Sequence, residues 1–193
     1  MRAEVFIGVD ISKARLDGFN LVTGEILKFE NNPSGIKKFV KYAKKAKPTL
    51  ITCESTGGLE LPLLLACTEA KLPISVVNPR QVRDFAKAMG KFAKTDAIDA
   101  TILAEFGSRI RPAITTPAPE ELRALEAVTN RRAQILEMIT MERNRLGSTR
   151  DEKARASLEA VITFLESQVE DMNSQMLEIV RSNTELKIGR AHV

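Results

Sequence analysis

Four carboxylates sit where a chain would put them to handle a metal ion. Asp10 closes the apolar run Phe6, Ile7, Gly8, Val9; Glu54 closes "LITC"; Asp96 and Asp99 lie three residues apart in "KTDAIDA". Aspartate is a poor helix-interior residue because its side chain competes for nearby backbone groups, so two within one turn need a reason. One reason is capping, with Thr95 or Asp96 as N-cap of a helix through "AIDATILAEFGSRI" and the acids favoured by the helix dipole. The other is ligation, since positions three apart share a helix face and can aim both carboxylates at one divalent cation. Gathered acids without a cation repel and take up protons. An oxygen-only ligand set selects a hard ion, Mg2+ or Mn2+, and two such ions about 4 Å apart suit in-line displacement at a phosphodiester. That chemistry needs no histidine.

A cationic stripe leads into the aspartates. Arg80, Arg83, Lys87, Lys91 and Lys94 recur at three- and four-residue steps, with Asp84 the sole acid among them and Gly90 a candidate break. Beside a metal site such a stripe supplies phosphate contacts whose strength falls with salt. Lys94 and Thr95 would stand at the mouth of the site, where a helix start favours phosphate; a solvated lysine is the plain alternative. The lysines of 37–47 lie opposite an apolar face and read as solvated helix surface. Aromatic residues are 5% of the chain and Trp is absent, so backbone recognition is favoured over an aromatic stacking platform.

The elements that must position these groups follow from hydropathy pattern. "EVFIGVD" reads as a buried strand, "RLDGFNLV" and "EILKFE" as a hairpin around "TG", "SGIKKFVKYAKKA" as a helix, and "TLITCE" as a strand. "LELPLLLACTEA" then reads as a helix, "PISVVN" as a strand and "PRQVRDFAKAMG" as a helix opening on Pro79. Strands separated by helices imply parallel neighbours in a three-layer α/β domain, and strand ends there converge on one crevice, which places Asp10 and Glu54 together. "RPAITTPAPEE" reads as a linker. Beyond it, Leu158, Val161, Ile162, Leu165, Val169, Met172, Met176 and Ile179 step by threes and fours, and Leu122, Leu125, Thr129, Leu136, Ile139 and Leu146 do so less strictly. With a turn at "LGSTRDEKA" this is an antiparallel helical hairpin or coiled coil for self-association.

Composition bounds the rest. The 193 residues are 44% hydrophobic and 28% charged, ordinary for a globular protein. Residues 1–111 carry 18 Lys and Arg against 12 Asp and Glu, whereas 112–193 carry 11 against 13, so the basic character lies in the first part. No membrane-spanning run or secretory leader is evident, which places the chain in the cytoplasm. Cys53 and Cys67 lack metal spacing and read as buried thiols. Residues 187–193 fit the start of a common sequencing-library adapter read in frame, so His192, the sole histidine, is set aside.

"FIGVDISKARLDG", "CESTGG" and "VNPRQVRDFAKAMGKFAKTDAIDATILAEFG", together with the hairpin, resemble the DEDD transposases of the insertion-sequence family one hundred and ten, which includes the Piv-type DNA invertases. The resemblance implies a RuvC-like (RNase H-like) mixed sheet with flanking helices over 1–111. It assigns Asp10, Glu54, Asp96 and Asp99 as catalytic and metal-binding acids. It also implies a linker at 112–121, a dimerising coiled-coil hairpin at 122–186 and a C-terminal serine domain that is absent here. The expected activity is metal-dependent DNA transposition or site-specific recombination in a prokaryotic cell, with DNA and a non-coding guide RNA as partners. Three other readings stand beside it: a stand-alone nuclease resembling a Holliday-junction resolvase; a small-molecule phosphotransferase, in which "GVDISKARLDG" resembles the first phosphate loop of sugar kinases and "STGG" is the Gly-rich stretch available; and a non-catalytic nucleic-acid-binding or scaffolding module.

Overall fold

The computed structural model describes residues 3–90 and 96–182, with the side chains of 96–98 outside the described set. Contacts sort the chain into two compact units, Met1–Pro117 and Ala118–Val193.

In the first unit, strands β1 (Phe6–Ile11), β2 (Arg15–Asn20) and β3 (Glu25–Glu30) precede helix α1 (Pro33–Ala46). Strand β4 (Leu50–Glu54), helix α2 (Leu61–Glu69), strand β5 (Ile74–Val77) and helices α3 (Pro79–Ala88) and α4 (Asp96–Ile110) follow. This is the expected succession of elements, and it builds one mixed sheet in the order β3-β2-β1-β4-β5. β1, β2 and β3 pair antiparallel, while β4 and β5 run parallel to β1. The antiparallel half follows from tight local turns. Ser12 N–H donates to the Arg15 carbonyl between β1 and β2, and Gly24, at φ 70°, donates to the Asn20 carbonyl between β2 and β3. The parallel half needs crossovers, which α1 and α2 provide. Caps fix where helices begin. Asn32 Oδ1 accepts from Gly35 N–H at 2.8 Å ahead of α1, and Asn78 Oδ1 accepts from Arg80 N–H at 2.8 Å ahead of α3, each followed by proline at the first helical position.

Strand alternation divides the core. Ile7, Val9, Ile11, Ile51 and Cys53 point to the α1 and α2 side, where they pack with Leu16, Phe39, Leu63 and Cys67. The opposite face of β1 and β4 lies under α4, which approaches very closely. A Cβ on Gly8 would stand 2.0 Å from the Ala100 carbonyl oxygen and 2.4 Å from Ala104 N, and one on Gly107 would stand 2.3 Å from Thr52 Oγ1. Glycine at position 8 lets the α4 backbone rest on the β1 backbone, and Gly107 makes room in α4 for the Thr52 side chain. Val77, Val82, Ile102, Leu103 and Phe106 close the space between β5, α3 and α4.

α3 ends at Ala88 and Gly90 adopts φ 71°, so the candidate break at Gly90 follows Arg80, Arg83 and Lys87, while Lys91 and Lys94 lie outside the described residues. Residues 111–119 are non-helical as the prolines suggest, but Thr115 is bonded to the sheet: its N–H donates to the Ile74 carbonyl and its Oγ1 accepts from Val76 N–H, both at 2.9 Å.

The second unit is a helix pair, α5 (Glu120–Ser148) and α6 (Glu152–Ser182). Arg132 bonds to Asn173, Arg143 to Glu166, and Arg155 to the Leu146 carbonyl, so rising numbers on α5 meet falling numbers on α6 and the pair is antiparallel. Ile135, Ile139, Ile162, Leu165 and Val169 form its seam, flanked by Leu146 and Met172. Four of the positions expected to face inward do not. Val161, Leu122 and Leu136 are exposed, as is Thr129, whereas Ile135 is buried. On α5 the seam runs 132, 135, 139, 142, 146, and two of those positions are Arg132 and Glu142, which lay long side chains along the seam and disguise it in a hydropathy count.

Candidate functional site

Asp10 lies one residue from the end of β1 and Glu54 at the end of β4; because the strands are parallel neighbours with Val9 facing Cys53, both acids reach the same end of the sheet. α4 begins at Asp96 and crosses this end, held down at Gly8 by the Ala100 carbonyl, and that contact brings Asp99 over the strand ends. Asp10, Glu54 and Asp99 are all half-buried.

Their charges act on one another. Burial pushes the Glu54 carboxyl above its ordinary range, the negative charges of Asp10 and Asp99 push it further, and the Arg83 guanidinium opposes them. Three acids from three elements therefore share one electrostatic neighbourhood with a cation from α3. Asp10 and Asp99 each have interactions of their own and are not free groups. Among the described residues no three Asp, Glu, His or Cys side chains converge closely enough to hold an ion. The donor set fits a hard divalent cation in kind: all oxygen and acidic, with Glu54 raised in proton affinity by burial and by the neighbouring Asp10 and Asp99 charges. The side chain of Asp96 lies outside the described residues, as do Lys91, Lys94 and Thr95. Arg80, Arg83 and Lys87 are exposed on α3, and Lys87 Nζ pairs with Asp84 at 3.3 Å.

The loop after Glu54 is closed by its own carboxylate. Glu60 Oε2 accepts from Thr56 N–H at 3.1 Å, Thr56 Oγ1 at 3.0 Å and Gly58 N–H at 2.9 Å, across Gly57 and Gly58 at φ 69° and 102°. Burial acts to raise the Glu60 carboxyl, but its own backbone amide together with these bonds outweighs it and holds it below its ordinary value. The Thr56 and Gly58 amides, which a phosphate loop at "STGG" would need, are thus already engaged. On the other side of Asp10, the register places Asp17 directly across the strand pair, and Lys28 across from Asp17. Sequence reading passed over both Asp17 and Glu60. The signal for Asp17 was the short turn after "GVDI", from which the pairing Ile11 with Leu16, and so Asp10 with Asp17, can be counted; nothing local announced the Glu60 bonds. Cys53 and Cys67 are buried and reduced, and burial raises both thiols, Cys67 to about 12, so neither is a nucleophile at neutral pH.

Over residues 7–152 the chain matches the profile of the family DEDD_Tnp_IS110, described as a transposase. It is similar to the pilin gene-inverting proteins of Moraxella lacunata and Moraxella bovis, each 26% identical over 149 residues, which is 74% of this chain and 46% of the relative. The chain thus spans about half the length of these curated relatives. Among solved structures it is similar to RuvC of Thermus thermophilus, at 16% identity and TM-score 0.41 over 57% of this chain and 98% of that one. Among the described residues no helix is long and apolar enough to cross a membrane.

Proposed function

Since the chain belongs to the DEDD transposase family of the IS110 group, we propose that residues 1–117 are the metal-dependent catalytic part of a DNA transposase or site-specific recombinase. The observation that carries this reading is the meeting of Asp10, Glu54 and Asp99, from β1, β4 and α4, in one electrostatic neighbourhood at the strand ends.

In this reading Asp10, Glu54, Asp96 and Asp99 hold one or two divalent cations, Mg2+ or Mn2+, which supply activation of the attacking oxygen and stabilisation of the leaving one at a phosphodiester. The chain's own residues bind and orient the DNA. Arg80, Arg83 and Lys87 on the exposed side of α3 take backbone phosphates, with Lys91, Lys94 and Thr95 continuing the contact toward the acids, so affinity falls steeply with salt. Arg83, already within the field of Glu54, sets the approaching phosphate beside the acid cluster. The Glu60 bonds fix the loop on which Glu54 ends. The second unit serves self-association: Phe164 is 61% exposed and Leu177 54%, both outside the α5–α6 seam. A guide RNA selecting the DNA belongs to the same reading on the ground of family resemblance.

The test is a calorimetric Mn2+ titration of the 193-residue chain and its Asp10→Ala, Asp96→Ala and Asp99→Ala variants. Binding in the wild type that is lost in all three supports the reading. No wild-type binding, or binding indifferent to the variants, overturns it, and cleavage of branched DNA by the chain alone would favour a stand-alone nuclease instead.

A further inference from the structure

The β2–β3 ribbon has two unlike faces. Leu16, Leu27 and Phe29 turn toward α1 and are covered. Arg15, Asp17, Phe19, Ile26 and Lys28 turn the other way, where α4 lies over β1 and β4 and meets the ribbon at Ala100, leaving Ile26 58% exposed. Between ribbon and helix is a cavity of about 250 Å³ lined by Arg15, Asp17, Phe19, Ile26, Lys28 and Ala100. The Asp17 side chain is only 13% exposed, with Arg15 Nε 3.8 Å from its carboxylate. Asp17 is also the cross-strand neighbour of Asp10, and like charges directly opposite are destabilising. The fold therefore keeps an acid where an apolar residue would pack at lower cost, on the wall of a small cavity one strand away from the acid cluster.

We propose that this cavity is a subsite for one unpaired nucleotide, the neighbour of the phosphodiester held at the acids, with guanine its preferred base. The inference rests on the DNA-acting reading above and adds a specificity element to it. The parts match a nucleotide's parts. The Phe19 ring and the Ile26 side chain offer an apolar wall to a base face. The Asp17 carboxylate has two acceptor oxygens, which suit the adjacent N1–H and amino donors on the pairing edge of guanine and leave thymine, with a single donor between two carbonyls, poorly served. Arg15 and Lys28 supply the phosphate contact. The volume admits one base and no second.

The experiment is an NMR titration of the 193-residue chain with dGMP and, separately, dTMP, alongside Mn2+ and duplex-DNA binding by the same protein. The expected result is dGMP-dependent shifts at Asp17, Phe19 and Lys28, with dTMP about tenfold weaker. Asp17→Asn abolishes the preference and Phe19→Ala weakens both nucleotides, while each variant still melts cooperatively and binds duplex DNA. Equal binding of the two nucleotides, shifts elsewhere, or no shifts in a protein that binds Mn2+ and DNA would overturn the subsite while leaving the proposed function standing. Selective dGMP binding in a chain that takes neither Mn2+ nor DNA would leave a guanine site and remove the catalytic reading.

Discussion

The contact between Gly8 and α4 predicts that one added methyl group will disarm the site. In Gly8→Ala the new Cβ would meet the Ala100 carbonyl oxygen at 2.0 Å, Ala104 N at 2.4 Å and the Leu103 Cβ at 2.9 Å. Ordinary contact begins at 3.4 Å, so helix and strand must part by about 1.4 Å, the difference between 3.4 and 2.0. Two of the three obstacles are backbone atoms, which cannot swing aside, and overpacking of this kind costs about 1–3 kcal/mol, here toward the upper end. In a unit of this size that lowers the melting temperature by roughly 10 °C. Asp99 is the residue before Ala100 and moves with it, and a misplacement of about 1 Å in a preorganised site costs on the order of 100-fold. Gly107→Ala is the control. It meets Thr52 Oγ1 at 2.3 Å but lies eight residues further along α4, about 12 Å from Asp99. Thermal unfolding with a Mn2+ titration separates the cases: both variants lose stability, and only Gly8→Ala loses metal affinity by tenfold or more. A Gly8→Ala protein that melts and binds Mn2+ like the wild type would refute the packing of α4 as the device that places Asp99.

Two further outcomes follow from the charges. Because the folded Glu54 carboxyl lies above its unfolded value, its contribution favours the metal-free fold at pH below the unfolded value and is lost as pH rises through the folded one. Glu54→Gln therefore melts higher than wild type at pH 7 in chelator, with the gap closing toward about pH 4; equal melting at pH 7 would contradict the crowding of acids. Glu60→Ala leaves the Thr56 and Gly58 amides without their acceptor, costing about 1–2 kcal/mol, while Glu60→Gln, whose amide oxygen accepts the same bonds, recovers most of it. Amide exchange at those two residues reads this directly, and unchanged exchange in Glu60→Ala would show that the bonds do not hold the loop.

What could be read from the sequence was whatever depends on neighbours along the chain. Buried runs ending in an acid located Asp10 and Glu54 at strand ends, and Pro79 marked the start of α3. Pairing across the sheet was less legible. Asp17 stands in the same stretch as Asp10, yet its position opposite that residue emerges only when the turn is counted, and the reach of Arg83 to Glu54 depends on how α3 leaves β5. The Glu60 bonds were invisible because a glutamate ahead of an apolar helix has many ordinary uses, and only the folded loop turns two amides and a hydroxyl onto one oxygen. In the helix pair the inward stripe of α6 was legible, whereas on α5 Leu122, Thr129 and Leu136 were misplaced, since Arg132 and Glu142 occupy inward steps that a hydropathy count skips.

Thr115 has a consequence for how the unit survives its own synthesis. β5 is the outermost strand on its side, and an open strand edge is a template for pairing with other chains. The two bonds from Thr115 occupy the Ile74 carbonyl and the Val76 amide on that edge. The residue that seals it is made 38 positions after Val77 and only after α4 is complete. A nascent chain that has folded through α4 still carries an adhesive border, and the proline-rich segment that follows closes it. Shortening or replacing that segment, as in the grafting of the unit onto another protein, should therefore show first as oligomerisation through β5 and only later as loss of fold.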